Sequence, residues 1–280
     1  MINKGLVLEG GGMRCVYTAG VLESFLKNDI QFSYVIGVSA GAVVATSYIS
    51  GQIGRNKKVT IDYINDKRYL SFRNLIFQKS IFGFDFLFNQ LPNKLVPFDY
   101  KKFFSSETNF VVGITNCVDG KAEYYAKKNM ESDGSLMKYL KSSSSIPFVS
   151  PISHINGNKY LDGSLSDAIP ITRSIEDGNS KNVIVRTQNK DYRKKSFKFR
   201  KIIDLKYRKY PKLVKLIKNR HKIYNEKIDY IEKLEKSGEA IVIRPSETFD
   251  VNRLEKNKDR LKVLYNIGKK DGEAFLKKYL

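Results

Sequence analysis

A three-layer α/β/α fold built on a mostly parallel central sheet is what this sequence predicts, and three observations carry the prediction. Strand, glycine loop, helix, strand, tight turn and helix patterns fill the first fifty residues, and such a βαβα opening implies a parallel sheet with helices on its faces. β-Branched runs recur much later, at Asn182 to Arg186 and Ala240 to Arg244, and suit further core strands. No internal repeat and no linker rich in Pro, Gly or Ser interrupts the 280 residues, so a single domain over 1–280 is expected.

The elements follow in order. Gly5 to Glu9 reads as a short buried strand that runs into Gly10-Gly11-Gly12. From Met13 to about Lys27, the residues Tyr17, Val21, Leu22, Phe25 and Leu26 keep helical spacing. Tyr34 to Val38 is a second strand and Ala40 to Ile49 a second helix, stopped by Gly51. Between Phe72 and Phe104, ten aromatic residues crowd into 33 positions with only partial periodicity. Asn109 to Thr115 and Lys121 to Tyr125 read as strands joined by an Asp119-Gly120 turn, and His154 to Leu161 as a hairpin around Asn156-Gly157. A basic, mainly helical segment spans 190–236, and 251–279 forms one or two closing amphipathic helices broken near Gly268.

Composition narrows the setting. With 41% hydrophobic residues the chain can bury one sizeable core. Its formal charge of +21 suits an anionic partner, either nucleic acid or an acidic membrane surface, or simple solubility. Lys190 to Lys222 concentrates that charge, with 15 Lys or Arg against Asp191 and Asp204. Two cysteines, Cys15 and Cys117, are too few for a disulfide scaffold, so a reducing compartment is expected. The N-terminus lacks the apolar run of a signal peptide, and no stretch approaches the roughly 18 apolar residues that span a bilayer. The expectation is a cytoplasmic protein with peripheral membrane contact at most.

The sharpest chemical signal is Gly37-Val38-Ser39-Ala40-Gly41, a G-x-S-x-G directly after a strand pattern and directly before a helix pattern. Glycines on either side let the chain turn tightly, leaving Ser39 exposed at the C-terminal end of the sheet as a nucleophile. A serine that merely caps the helix is the structural alternative. Gly10, Gly11 and Gly12 fall on the same sheet edge, where consecutive N–H groups can converge on an oxyanion. Arg14 follows and adds positive potential or holds the loop. A nucleotide loop would need G-x-G-x-x-G or G-x-x-x-x-G-K-[ST]; Cys15 stands where the first wants glycine, and the second is absent.

A base must take the proton of Ser39. Only His154 and His221 exist; His221 sits between Arg220 and Lys222, whose field opposes an imidazolium, and His154 reads as a strand or turn residue. If neither serves, a carboxylate must act directly on the serine. Five aspartates precede glycine: Asp119, Asp133, Asp162, Asp177 and Asp271. Asp162 alone follows an apolar hairpin strand that delivers it rigidly, its alternative being a turn aspartate. No cofactor or metal enters this scheme.

Taken together, Gly10-Gly11-Gly12-Met13-Arg14, Gly37-Val38-Ser39-Ala40-Gly41, Asp162-Gly163-Ser164 and the loop Ser143 to Phe148 resemble the patatin-like phospholipases, over roughly residues 5 to 170. Ser164 in place of a Gly or Ala, and Cys15 in place of a frequent Gly, depart from the family pattern. The resemblance implies a patatin-like α/β/α fold and a Ser39–Asp162 dyad. It also implies an oxyanion hole from the glycine loop and hydrolysis of fatty-acyl esters in phospholipids, lysophospholipids or acylglycerols. The Phe-rich segment then suits an acyl-chain groove or plain core, and Lys190 to Lys222 suits anionic headgroups or a solvated face. Two rivals from other classes are a catalytically degenerate lipid-binding regulator and a nucleic-acid-binding protein, the latter lacking any stacking motif.

Overall fold

Eight strands share one sheet among the described residues of the computed structural model, which are 1–130, 133–197 and 200–279. They are β1 (Ile2–Leu8), β2 (Phe32–Val38), β3 (Asn109–Asn116), β4 (Ala122–Ala126), β5 (Ser153–Ile155), β6 (Asn158–Asp162), β7 (Asn182–Val185) and β8 (Ala240–Ile243). The order is β5-β6-β3-β2-β1-β7-β8, with β4 also on β3. β3, β2, β1, β7 and β8 run parallel, while β4 and β6 pair antiparallel with β3 and β5 pairs antiparallel with β6. The predicted class is therefore the observed one: a mostly parallel sheet between two helical layers.

Period-two alternation along β1 sorts the layers. Leu6 and Leu8 turn to one face and Val7 to the other. On the first face lie α1 (Val16–Lys27), α2 (Ala40–Ile49), α5 (Tyr100–Ser105) and α6 (Asp133–Ser143); the short α3 (Arg55–Lys57) packs on α1 and α2, and α4 (Phe72–Gln78) precedes α5 in the chain. The second face carries α7 (Ile171–Glu176), then α8 (Arg200–Tyr207) and α9 (Pro211–Lys236), whose Tyr224, Ile228 and Ile231 cover Val7 and Ile36. The final helix, α10 (Lys258–Tyr279), returns to the first face and lies along α1.

Three expectations change here. The first helix opens as a tight 3-10 turn, Gly12–Cys15, and becomes α-helical only at Val16. The closing segment is one continuous helix rather than a pair broken at Gly268. A Cβ at Gly268 would sit 2.1 Å from the Tyr17 carbonyl oxygen, so this glycine serves close helix approach and not a break. The basic segment begins with a turn at Lys190 and Asp191 and is non-helical through Phe197 before its helices begin, and its Lys198, with Phe199, lies outside the described residues.

One detail of register positions the chemistry. β4 occupies one edge of β3, where Val112 faces Tyr125 and Ile114 faces Glu123. The opposite edge is divided. β2 occupies it up to Val38, opposite Gly113, and β6 arrives antiparallel with Asp162 opposite Ile114, the next position. Two strands approaching head-on along one edge bring their ends together. Those ends carry Ser39 and Asp162.

Candidate active site

Ser39 sits at the β2–α2 junction with φ 53° and ψ −135°, in a region that non-glycine residues rarely occupy. The surroundings hold it there. Its N–H donates to the Ser143 hydroxyl at 2.7 Å, and that hydroxyl donates in turn to the Gly113 carbonyl at 2.7 Å. Gly41 lets α2 close on the end of β1, because a Cβ there would lie 2.6 Å from the Glu9 carbonyl oxygen. The strain of the turn thus aims a buried hydroxyl in a fixed direction.

Asp162 receives it. The Ser39 Oγ donates to Asp162 Oδ2 at 2.7 Å. The other carboxylate oxygen, Oδ1, accepts from the Ser164 N–H at 2.8 Å and the Ser164 hydroxyl at 2.6 Å. The Asp162 backbone is tied as well, its N–H to the Ser145 carbonyl and its carbonyl to the Thr115 hydroxyl. Each carboxylate oxygen therefore has its own task, one for orientation and one for Ser39. Ser164, the departure from the family pattern, is what makes the orienting bonds.

The glycine loop lies against the elbow: a Cβ at Gly10 would be 3.2 Å from the Ser39 Cβ. Its donors are not equivalent. The Gly10 N–H is spent on the Ala168 carbonyl at 3.2 Å. Among the described residues neither the Gly11 nor the Gly12 N–H is given to a backbone carbonyl, although that of Gly11 faces the Cys15 sulfur, and Gly12 takes a positive φ of 59° at the start of its tight turn. Arg14 lines neither cavity at Ser39 and donates to the Gln188 side-chain carbonyl, with that amide turned oxygen-inward. Its guanidinium pKa is lowered by burial and by Arg253. Of the two roles open to Arg14, holding the loop matches its contacts. Behind the loop the Glu9 carboxylate accepts from the Thr187 N–H at 2.6 Å and the Tyr224 hydroxyl at 2.7 Å, binding β1, β7 and α9 together.

Two cavities meet at Ser39. An apolar slot of about 100 Å³ is lined by Gly12, Ser39, Val43, Phe82, Phe84 and Phe88. A neck that also reaches Ser39 contains Gly10, Gly11, Gly12 and Asp162 with Arg220 and Arg253, and it shares its lining with a wider basic cavity. The Phe-rich segment divides accordingly. Phe82, Phe84 and Phe88 face the slot, Phe86 and Phe103 are core, and Phe72 and Phe77 on α4 are exposed.

Neither histidine bonds Ser39 or Asp162. His154 is exposed on β5, while His221 on α9 lines the basic cavity instead of lying on an open surface. Motif reasoning missed Arg220, whose Nε donates to the Ser164 carbonyl at 3.0 Å and whose Nη2 donates to the Ser164 hydroxyl at 2.7 Å. A signal was present. Ile217, Arg220, Tyr224, Ile228 and Ile231 keep helical spacing, so Arg220 is a cation on an otherwise buried stripe.

Comparison with known proteins bears on the family and the fold. A family model described as patatin-like phospholipase matches residues 6–174, and a domain of unknown function (DUF6363) matches residues 210–280. An uncharacterized Escherichia coli protein, YjjU, is 29% identical over 189 residues, covering 65% of this chain and 51% of its own length. A probable lipid hydrolase, 463L of Invertebrate iridescent virus 6, is 28% identical over 198 residues, covering 64% of this chain and 66% of that protein. The chain thus spans about half to two thirds of the length of these curated relatives. The crystal structure of VipD from Legionella pneumophila superposes with a TM-score of 0.53 over 98% of this chain and 67% of VipD, at 13% identity, a likeness of fold alone. With its family model covering more than half of the sequence, the chain belongs to the patatin-like phospholipase family.

Proposed function

We propose that the protein is a serine lipid acyl hydrolase working through a Ser39–Asp162 dyad on fatty-acyl esters of phospholipids, lysophospholipids or acylglycerols. The observation that carries the proposal is the 2.7 Å hydrogen bond from Ser39 Oγ to Asp162 Oδ2 at the junction of an apolar slot and a polar cavity. The acyl chain enters the slot. Ser39 Oγ attacks the ester carbonyl carbon while its proton passes to Asp162. The oxyanion is met by the Gly11 and Gly12 N–H groups, which narrows the four residues predicted for that role to two. Asp162 then returns its proton to the departing alkoxide. In the second half-reaction water gives a proton to Asp162, attacks the acyl-enzyme and frees the fatty acid, and the proton returns to Ser39 Oγ.

Peripheral contact with an anionic membrane from the cytoplasmic side completes the proposal. α8 exposes Ile202 and Leu205 beside Lys201, Lys206, Arg208 and Lys209, the mixture that suits a helix lying in a lipid interface. No described helix is long and apolar enough to cross a membrane.

The decisive experiment is hydrolysis of p-nitrophenyl acyl esters together with labelling by a fluorophosphonate probe. Ser39→Ala is expected to lose both, and Asp162→Asn to lose at least about a thousand-fold in turnover, as removal of one member of a catalytic unit does. His221→Ala retains the serine's reactivity. Undiminished turnover in Ser39→Ala would refute the assignment, and a wild-type protein that neither labels nor turns over would identify a degenerate lipid binder.

A further inference from the structure

The basic cavity beyond the neck holds Lys194, Arg220 and Arg253, none of which is ion-paired among the described residues. Its volume is about 810 Å³, and Tyr192, Lys194, Arg220, His221 and Arg253 line it, with the exposed Asp191 at the rim. Arg193 beside them is paired with Asp229 and Glu232. Among the described residues Lys194, Arg220 and Arg253 form no ion pair: Lys194 Nζ lies 4.5 Å over the Tyr224 ring, and Arg220 bonds only Ser164. The carboxylates whose fields reach them are Glu9 and Asp162, and both are engaged elsewhere. Burial, then Arg220 and Arg253, push the Lys194 ammonium down to about 6; burial, then Arg253, push Arg220 down to about 10. Gathering like charges away from water is unfavourable until a counter-anion arrives.

The cavity is joined to the chemistry. Ile146, Pro147, Leu165, Arg220 and Arg253 line both the cavity and the neck that contains Ser39. The apolar slot is a separate cavity that shares Gly12, Ser39 and Ile146 with that neck. An ester with its acyl chain in the slot and its carbonyl at Ser39 therefore directs its alcohol portion toward the cations. Arginine forks suit tetrahedral phosphate oxygens, and among the described residues Arg220 Nη1 has no hydrogen-bond acceptor.

We infer that Lys194, Arg220 and Arg253 form a phosphate-recognition subsite that selects acyl esters of phosphate-bearing alcohols over neutral acylglycerols. The orientation of the ester rests on the hydrolase proposal, while the subsite itself is built from residues 194–253, outside the span matched by the family model.

Binding to full-length Ser39→Ala protein tests the subsite without turnover. Calorimetric titration with monomeric 1-octanoyl lysophosphatidylglycerol and with 1-octanoylglycerol is expected to show the anionic lipid bound at least about tenfold more tightly. Adding Lys194→Met or Arg253→Gln should each shrink that preference by about fivefold or more. Lys194→Met should also melt at a higher temperature at pH 6 to 7, since it removes a group whose protonated form is disfavoured by burial in the folded chain, so lost binding is not lost folding. Equal affinity for the two lipids, or a preference surviving both substitutions, overturns the inference. Inorganic phosphate distinguishes the sources: competition with the lysolipid supports a shared subsite, whereas phosphate binding that leaves lysolipid affinity unchanged overturns it. If the wild type hydrolyses neither ester yet Ser39→Ala shows the preference, the hydrolase proposal fails and the subsite stands.

Discussion

Ser143 separates geometry from chemistry at the level of single residues. Its hydroxyl touches no reacting atom, but it accepts the N–H of Ser39 and so holds the strained turn. Ser143→Ala is expected to lower kcat about ten- to a hundred-fold through misorientation, with KM little changed. Loss of the buried bond, about 1–2 kcal/mol, should lower Tm by a few degrees. Steady-state kinetics and a melting curve check both. Lys194 gives a pH-dependent prediction. It faces Arg14, Arg220, Arg253, Glu9 and the Tyr224 ring, and its folded pKa of about 6 lies below the ordinary lysine value of 10.5. Between those values the unfolded chain binds a proton that the native state does not, so Lys194 makes stability rise with pH across that window. Lys194→Met should therefore stabilise more at pH 6 to 7 than near pH 10, as urea unfolding at the two values would reveal; an equal gain at both would contradict the assignment.

At the level of elements, the contact of α1 with α10 determines whether the C-terminal segment belongs to the core. Gly268 meets the Tyr17 carbonyl, and Gly272 lies against Ser24. Gly268→Ala should destabilise by about 1–3 kcal/mol, because the added methyl must push two well-packed helices apart; a lowered urea midpoint with unchanged slope would show it. The sequence presented that glycine as a break, since a lone glycine in a helical pattern reads as a breaker until its neighbour is known. The basic segment was legible only as charge. Side-chain direction within it, inward for Lys194 and Arg220 and outward for Lys201 and Lys206, depends on how α9 rests on the sheet.

For the molecule as a whole, the region matched as a domain of unknown function is woven into the sheet rather than appended to it. β8 pairs with β7, α10 covers α1, and Tyr224 of α9 bonds Glu9 at the root of the glycine loop. The Arg253 carbonyl accepts the Met13 N–H, pinning that loop from the far end of the chain. A protein ending at residue 209 is thus expected to lack a cooperative thermal transition and to be cut rapidly by protease. A sharp circular-dichroism melt with retained fluorophosphonate labelling would show instead that residues 210–280 are dispensable.

Ser39 was legible because its signal is local: a glycine-flanked serine between a strand pattern and a helix pattern needs no distant contact to be recognised. The alternation of strands and helices, and with it the α/β/α class, was equally local, since periodicity of two or near four is written in neighbouring residues. Asp162 stood out among five aspartates by its apolar strand, yet only the register on β3 brings it to Ser39, with Val38 opposite Gly113 and Asp162 opposite Ile114. The rest of the site depended on tertiary structure for the same reason. Ser143 gains its role from a hydrogen bond across 104 residues of chain, Arg220 from one across 56, and Lys194 from its closeness to Arg220 and Arg253 on later elements, and no pattern in neighbouring positions records such proximities. Local sequence determined which serine is presented; the packing of distant strands and helices decided what surrounds it.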